Sequence, residues 1–439
     1  MSNLPFTQPI GRRGLLKAGL FAGAGVAAAP LLSACGSTGG PGAAGGPLTW
    51  SAWANPGEGE RFREFAKQLT KKLGVQVNFQ PVVGDYESKL LSQLSAGSAP
   101  DVFYVGDGSM SKMIATRQLR DLTDYLDSGK APVKLSDFHK GLIPWCRPAD
   151  GSPGLFGLPV DCNPTVFWFN KDVLADAGVT TDPAAHFEAG TWTQDALTDL
   201  LDKVRATKKK GLVIGSGWFD WFGFITTFDG TVFDDTGKAV FDTDPKAQDA
   251  LTWLFEQLKS GNITYGGSLP KGQSVDALFY AGRLATMQYG RWVLPNVKKL
   301  KFGYDIAPYP SLSGKDIMPV PVATAALVVN AKAKNRQKAL ELLGDYVSAE
   351  GQTFRLSGGG NAVPSIEGLD RVVTEDHLPA HGKLFNDIAA KGYALPTTLA
   401  GNPKLSADFA QLANKLFMAR NQTAKSFSGK LVKLLNGAS

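Results

Sequence analysis

Histidine and cysteine, on which many catalytic and metal sites depend, are scarce: four histidines and three cysteines in 439 residues. His139, His186, His377 and His381 are dispersed, and no Ser-His-Asp or Cys-His ordering stands out. His377 and His381 have the spacing of one helix face, but Pro379 between them breaks the helix that a metal pair would need. Gly358-Gly359-Gly360 lacks the Lys-Ser/Thr of a phosphate loop. Long charged runs are missing too. The net charge is +6, and Arg12, Arg13 and Lys17 precede Cys35 with no acid among them, which halves the excess over the rest of the chain. So weak and dispersed a balance gives no argument for a nucleic-acid partner. No metal or cofactor is expected, and catalysis is disfavoured.

What is present begins with a targeting segment. Gly11-Arg12-Arg13-Gly14-Leu15-Leu16-Lys17 resembles a twin-arginine export signal, and Leu32-Ser33-Ala34-Cys35 resembles a lipoprotein signal-peptidase site. The apolar run between them is short against the roughly 20 residues of a membrane span. Gly23, Gly25 and Pro30 dilute it further. Residues 1–34 are therefore expected to be a signal peptide, with Cys35 lipidated and 35–47, small or helix-breaking, a flexible tether. Two acyl chains would hold the protein at the extracytoplasmic face of the cell membrane. Cys146 and Cys162 remain. They would have the oxidising surroundings for a disulfide. A turn at Gly151-Ser152, however, sets Cys146 opposite a residue near Gly157, which favours two buried thiols.

A chain of this length is expected to form two domains or lobes. Strand patterns at Leu48–Trp53, Val75–Val82 and Asp101–Val105 alternate with helical ones at Arg61–Leu73 and Tyr86–Ala96. Gly151 to Gly178 follows: a turn, strands at Leu155–Val160 and Thr165–Phe169 around a polar crossing, then a helix that Asn170 can cap and Gly178 can end. The alternation restarts with helices at Thr193–Ala206, Pro245–Leu258 and Arg336–Ser348 and strands at Gly211–Gly215, Leu284–Tyr289, Tyr304–Pro308 and Ala323–Asn330. Alternation of this kind predicts an α/β protein with a mostly parallel sheet in each unit.

The ordered motifs carry a resemblance. Gly157-Leu158-Pro159 with Phe169-Asn170-Lys171-Asp172, Pro100-Asp101-Val102, Leu119 to Thr123, Thr191-Trp192-Thr193, Gly237-Lys238 with Phe241-Asp242, Ala281-Gly282-Arg283 with Gly290-Arg291-Trp292, Ala349 to Gln352 and Asn361-Ala362-Val363-Pro364 resemble the signature segments of the extracellular solute-binding proteins of ABC importers, maltose-binding type. Arg117-Gln118 departs where that family has Gly. The resemblance implies a two-lobed periplasmic-binding-protein-like fold of type II, its lobes joined by hinge strands and closing on a ligand. Lobe one is placed at 48–160 plus 287–322 and lobe two at 161–286 plus 323–439, with crossings at Pro159–Val166, Leu284–Gln288 and Pro321–Ala326. Stiffening Gly157 or Asn163 is then expected to alter closure and affinity together.

Nine tryptophans direct the choice of ligand. Sugars present apolar faces and a rim of hydroxyls, which stacking aromatics and hydrogen-bonding side chains can hold together. Open α/β sheets bind ligands beyond the carboxyl ends of their strands. On those grounds Trp53, Asn55, Glu58, Asp107, Asp161, Trp218, Trp221, Trp292 and Asn361 are the candidate ligand residues. Only about half of those four tryptophans are expected to touch ligand, while Trp50, Trp145, Trp168, Trp192 and Trp253 are assigned to packing. Asp107, Asp161 and Asn361 each have a reading as caps or turn residues. The expected function is a monomeric, lipid-anchored binding component that passes a carbohydrate to ABC permease subunits. An exported carbohydrate-active enzyme, a binding protein for a non-sugar solute and a receptor subunit that signals without transport remain alternatives.

Overall fold

The computed structural model describes residues 46–54, 56–82, 86–358, 360, 362–419 and 421–437. The expected signal peptide, Cys35 and nearly all of the tether lie outside them. The strands are β1 (Leu48–Ala52), β2 (Val77–Pro81), β3 (Val102–Gly106), β4 (Leu158–Pro164), β5 (Val166–Asn170), β6 (Leu212–Ile214), β7 (Ile263–Tyr265), β8 (Thr286–Tyr289), β9 (Tyr304–Ala307) and β10 (Val322–Val329).

The first sheet has the order β2-β1-β3-β10-β4, parallel through β3 and antiparallel on both sides of β10. Its parallel strands are linked by helices Pro56–Leu73 and Tyr86–Ala96. Phe62, Phe65, Ala66, Leu69 and Leu73 recur at helical spacing and are buried. Phe62 meets the ring of Trp50 on β1 edge-on at 5.3 Å. In the second half β8-β5-β9 is antiparallel and β6-β7 parallel. A parallel bridge from Lys210 to Leu284, with Thr286 N–H donating to Gly211 O at 2.9 Å, joins β6 to β8. The second sheet thus reads β7-β6-β8-β5-β9, the same order of strand senses as the first.

The sheets exchange strands. After β4 the chain crosses at Thr165 into β5, the middle of the antiparallel part of the second sheet. It returns after β9 to supply β10 between β3 and β4. Thr165 ties the two crossings together, its N–H and Oγ1 donating to Pro321 O at 3.1 and 2.9 Å. This corrects the expected lobes: β9 pairs in the second sheet and β10 in the first, the reverse of their sequence-based placement. Leu284–Gln288 is not a crossing, because β8 pairs with β5 inside the second sheet. The apolar run of β10 marks it as a central strand but not which sheet it enters. The polar stretch Asp161 to Pro164 continues β4 as strand, so the chain crosses later than expected.

Local chemistry explains the element ends. Asn170 Oδ1 accepts from Val173 N–H and caps helix Lys171–Asp176, while Gly178 leaves with φ of 70°. Gly157 is a packing position: an added Cβ would lie 2.8 Å from Met110 and 3.0 Å from Ala326, so stiffening there would disturb the contact with β10. Cys146 and Cys162 are free and buried, and Phe156 N–H donates to Cys146 O at 2.9 Å. Helices Leu384–Ala389, Pro403–Met418 and Ala424–Leu435, unassigned from sequence, complete the described fold.

Candidate functional site

A cavity of about 440 Å³ opens beyond the carboxyl end of β1. Trp53, the residue after β1, is 38 % exposed and held edge-on by Tyr86 and Tyr104, both with ring centroids 5.2 Å away. Those contacts fix an indole that solvent or a ligand can reach. Glu58 lines the cavity from the first turn of helix Pro56–Leu73, which begins earlier than its periodicity predicts. One turn on, Arg61 Nη1 donates to Arg355 O and Ser357 O at 2.6 and 2.9 Å, tying this helix to the end of helix Ala349–Leu356.

β4 supplies the floor. Asp161 and Asn163 are two residues apart on a strand and so share a face. The Asn163 Oδ1 atom is buried and has no hydrogen-bond partner. Burial pushes the Asp161 carboxyl up to about 6; Arg355 opposes this and the charge of Glu58 adds to it. Arg355 closes the wall with a side chain 1 % exposed, against 21 % for Asp161. Its guanidinium lies 4.0 Å from the Tyr346 ring centroid, and Nη2 donates to Val160 O at 2.7 Å. Tyr346 and Tyr104 hydroxyls meet at 2.5 Å behind it.

The opposite wall is Trp292. A Cβ on Gly290 would lie 2.2 Å from the Trp292 ring and 2.7 Å from Asn163 Cβ, so only glycine lets the indole fold over the backbone here. Arg291 is fully buried, and Nη1 donates to Ala362 O at 2.8 Å; desolvation lowers its pKa to about 10. That bond ties the Trp292 turn to the loop that supplies Gly360 and Ala362. Phe219 stands 6.0 Å from Trp292, and Trp218 5.7 Å from Phe219, so an aromatic row runs from the cavity along the second lobe.

Of the sequence-predicted residues, Trp53, Glu58, Asp161 and Trp292 come together in this cavity. Trp218 is half-buried two rings outside it. Trp221 is a correction: it is fully buried, stacked on Phe409 at 5.7 Å and edge-on to Phe427 at 5.2 Å. Trp218–Thr227 is a helix, and Trp221 lies on its inward face. Asn55, Asn361 and the Asp107 side chain lie outside the described residues. Sequence reasoning missed Arg61, Tyr104 and Arg355 as cavity residues. Their side chains arrive from three elements, and no spacing in the chain announces that.

The signature segments interlock beneath the site. Ser365 Oγ donates to Pro159 O at 2.7 Å, Ser365 N–H donates to Gln352 Oε1 at 2.7 Å, and Gln352 Nε2 donates to Ser365 Oγ at 3.0 Å. Cys162 and Val363 exchange both backbone bonds at 2.8 Å, which extends the β4 edge of the first sheet. Among the described residues no cluster of His, Cys, Asp or Glu is arranged to hold a metal ion.

Residues 53–353 match the family model of bacterial extracellular solute-binding proteins. The chain belongs to that family. Its members bind solutes and are not enzymes, and they work outside the cytoplasm. YcjN of Escherichia coli strain K12, named as an ABC transporter periplasmic-binding protein, is 29% identical over 234 residues. That match takes in 52% of this chain and 50% of YcjN, so the chain spans about half the length of its curated relative. The Listeria monocytogenes substrate-binding protein Lmo0181, solved with cycloalternan, superposes with a TM-score of 0.74 at 18% identity, covering 89% of this chain and 98% of that one. The cyclic α-maltosyl-1,6-maltose binding protein of Arthrobacter globiformis gives 0.72 at 18% identity, covering 89% and 99%. At that identity the likeness shows the two-lobed fold of this solute-binding protein.

Proposed function

We propose that this chain is the capture subunit of an ABC importer, held at the outer face of the cell membrane through a lipidated Cys35, and that its solute is a carbohydrate. The observation that carries the carbohydrate reading is the pairing, in one cavity, of two accessible indoles with a hydrogen-bonding floor. Trp53 and Trp292 supply apolar faces, and Asp161, Asn163 and Arg61 supply polar groups. That combination suits a sugar ring, apolar on its faces and hydroxylated at its rim. Binding of cycloalternan by the Listeria protein and of a cyclic maltosyl-maltose by the Arthrobacter protein supports the same class. Residues 1–34 would be removed on export, 35–47 would serve as the tether, and the monomer would deliver its sugar to permease subunits. Lobe one would comprise β1–β4 and β10, and lobe two β5–β9, with closure about the Thr165 and Pro308–Pro321 crossings. Calorimetry against mono- and oligosaccharides tests the ligand class. Binding of a polyamine or phosphoester and of no sugar would sink it. Loss of membrane fractionation in Cys35→Ala tests the anchor.

A further inference from the structure

Asp161 and Arg355 form an ion pair whose charged atoms are too far apart to share a hydrogen bond. Arg355 Nη1 and Asp161 Oδ2 are 3.9 Å apart, beyond hydrogen-bond reach, with the guanidinium buried and the carboxylate partly open to the cavity. The guanidinium is fixed from behind: Tyr346 lies under its face, Nη2 is occupied by Val160 O and Tyr346 O, and Nε is buried without a partner. Asp161 is fixed by its strand, with its main-chain carbonyl accepting from Thr324 Oγ1 at 2.8 Å. Neither group is set to close the gap by itself.

An oxygen placed between them can sit about 2.8 Å from both. It must accept from the guanidinium, which only donates, and donate to the carboxylate, which only accepts. A hydroxyl does both; a carboxylate, an ammonium or a methylene does not. We infer that Asp161 and Arg355 together form a hydroxyl reader in the cavity wall, which makes Arg355 a specificity-determining residue and the preferred ligand a neutral sugar. This rests on the carbohydrate reading above. The reader works best with Asp161 ionised: protonation leaves only a weaker neutral carbonyl acceptor and sets a competing O–H donor opposite the guanidinium. Arg355 favours its charged form and Glu58 opposes it; Arg61 lines the same cavity, and the neutral Tyr104, Tyr346 and Cys162 are the other titratable groups beside it. Burial places its titration at about 6 in the empty site.

The test is calorimetry with glucose, galactose, mannose, tagatose, maltose and maltotriose, and with glucuronate and glucosamine as charged counterparts. Affinity of wild type for its best neutral sugar should fall about tenfold from pH 7.5 to pH 5. The charged counterparts should bind more weakly than that sugar. Asp161→Asn, which keeps the side-chain shape, should weaken binding about 10- to 100-fold at neutral pH and flatten the pH profile. Arg355→Gln should weaken binding and move the profile's midpoint to higher pH, because the cation that favours the charged carboxyl is gone. A cation that only biased the Asp161 charge would leave affinity unchanged well above the midpoint, where the carboxyl is ionised in both proteins. Circular dichroism checks that both variants fold; should Arg355→Gln not fold, Asp161→Asn decides alone. A flat wild-type profile, tighter binding of a charged counterpart, or wild-type affinity in Asp161→Asn overturns the reader and leaves the carbohydrate reading standing. No binding of any of these sugars by wild type overturns both.

Discussion

At neutral pH the ionised Asp161 sits in a wall that favours its neutral form. Its folded pKa of about 6 lies above the ordinary 3.8, with burial the larger cause and Arg355 a partial offset. The folded state therefore binds this proton more tightly than the unfolded chain does, and stability from this group falls as pH rises from about 4 to 6. Asp161→Asn is expected to stabilise the empty protein by about 1–3 kcal/mol at neutral pH and by little near pH 4, read by urea unfolding at both. A destabilised variant at neutral pH would contradict that balance. A second residue carries backbone strain. Arg117 stands at φ of 54°, and it ends helix Asp107–Ala115 with Arg117 N–H donating to Ile114 O and Gln118 N–H to Met113 O. That pattern usually ends on glycine, and here an exposed arginine adopts the left-handed region instead. Arg117→Gly should gain about 1 kcal/mol in the same assay.

Between elements, the Ser365–Gln352–Pro159 bonds join β4, helix Ala349–Leu356 and the loop after it. All three bonded residues are buried. Ser365→Ala leaves the Pro159 carbonyl and Gln352 amide short of a partner and should lower unfolding free energy by about 1–3 kcal/mol. The same network explains what the sequence made legible. The Gly-Leu-Pro, Glu-Gly-Gln and Val-Pro segments meet at this junction: Pro159, Gln352 and Ser365 are bonded to one another, and Val363 pairs with Cys162. The amphipathic helices Tyr86–Ala96, Pro245–Ser260 and Arg336–Val347 were legible almost to the residue, since each buries one stripe. Trp221 was not, because WFDWFGFITT is apolar nearly all round and its inward face shows only after the C-terminal helices pack on it. In the cavity, Trp53 and Asp161 were visible as aromatic and acid at strand positions. Arg355 was hidden, a single cation near the end of an ordinary amphipathic helix until Tyr346 and Val160 are folded against it.

Across the whole molecule, the two crossings are fastened to each other by Thr165 and Pro321. Bending one therefore displaces the other, and the two crossings should bend together as one hinge. Thr165→Val keeps the β-branched shape and removes the Oγ1 bond at 2.9 Å. It should change the rate of ligand-induced closure, followed by Trp fluorescence in stopped flow, with little effect on the static fold. Unchanged rates would place the hinge elsewhere. The exchange of strands also sets an order on biosynthesis. A ribosome delivers β1 to β4 first, then all of β5 to β9, and only afterwards β10, which belongs between β3 and β4. Until then the nascent first lobe presents two unpaired strand edges facing an empty slot, a template for wrong partners. The inner strand of the sheet made first is thus delivered after every strand of the second, and a chain cut short before residue 322 leaves that first sheet without it.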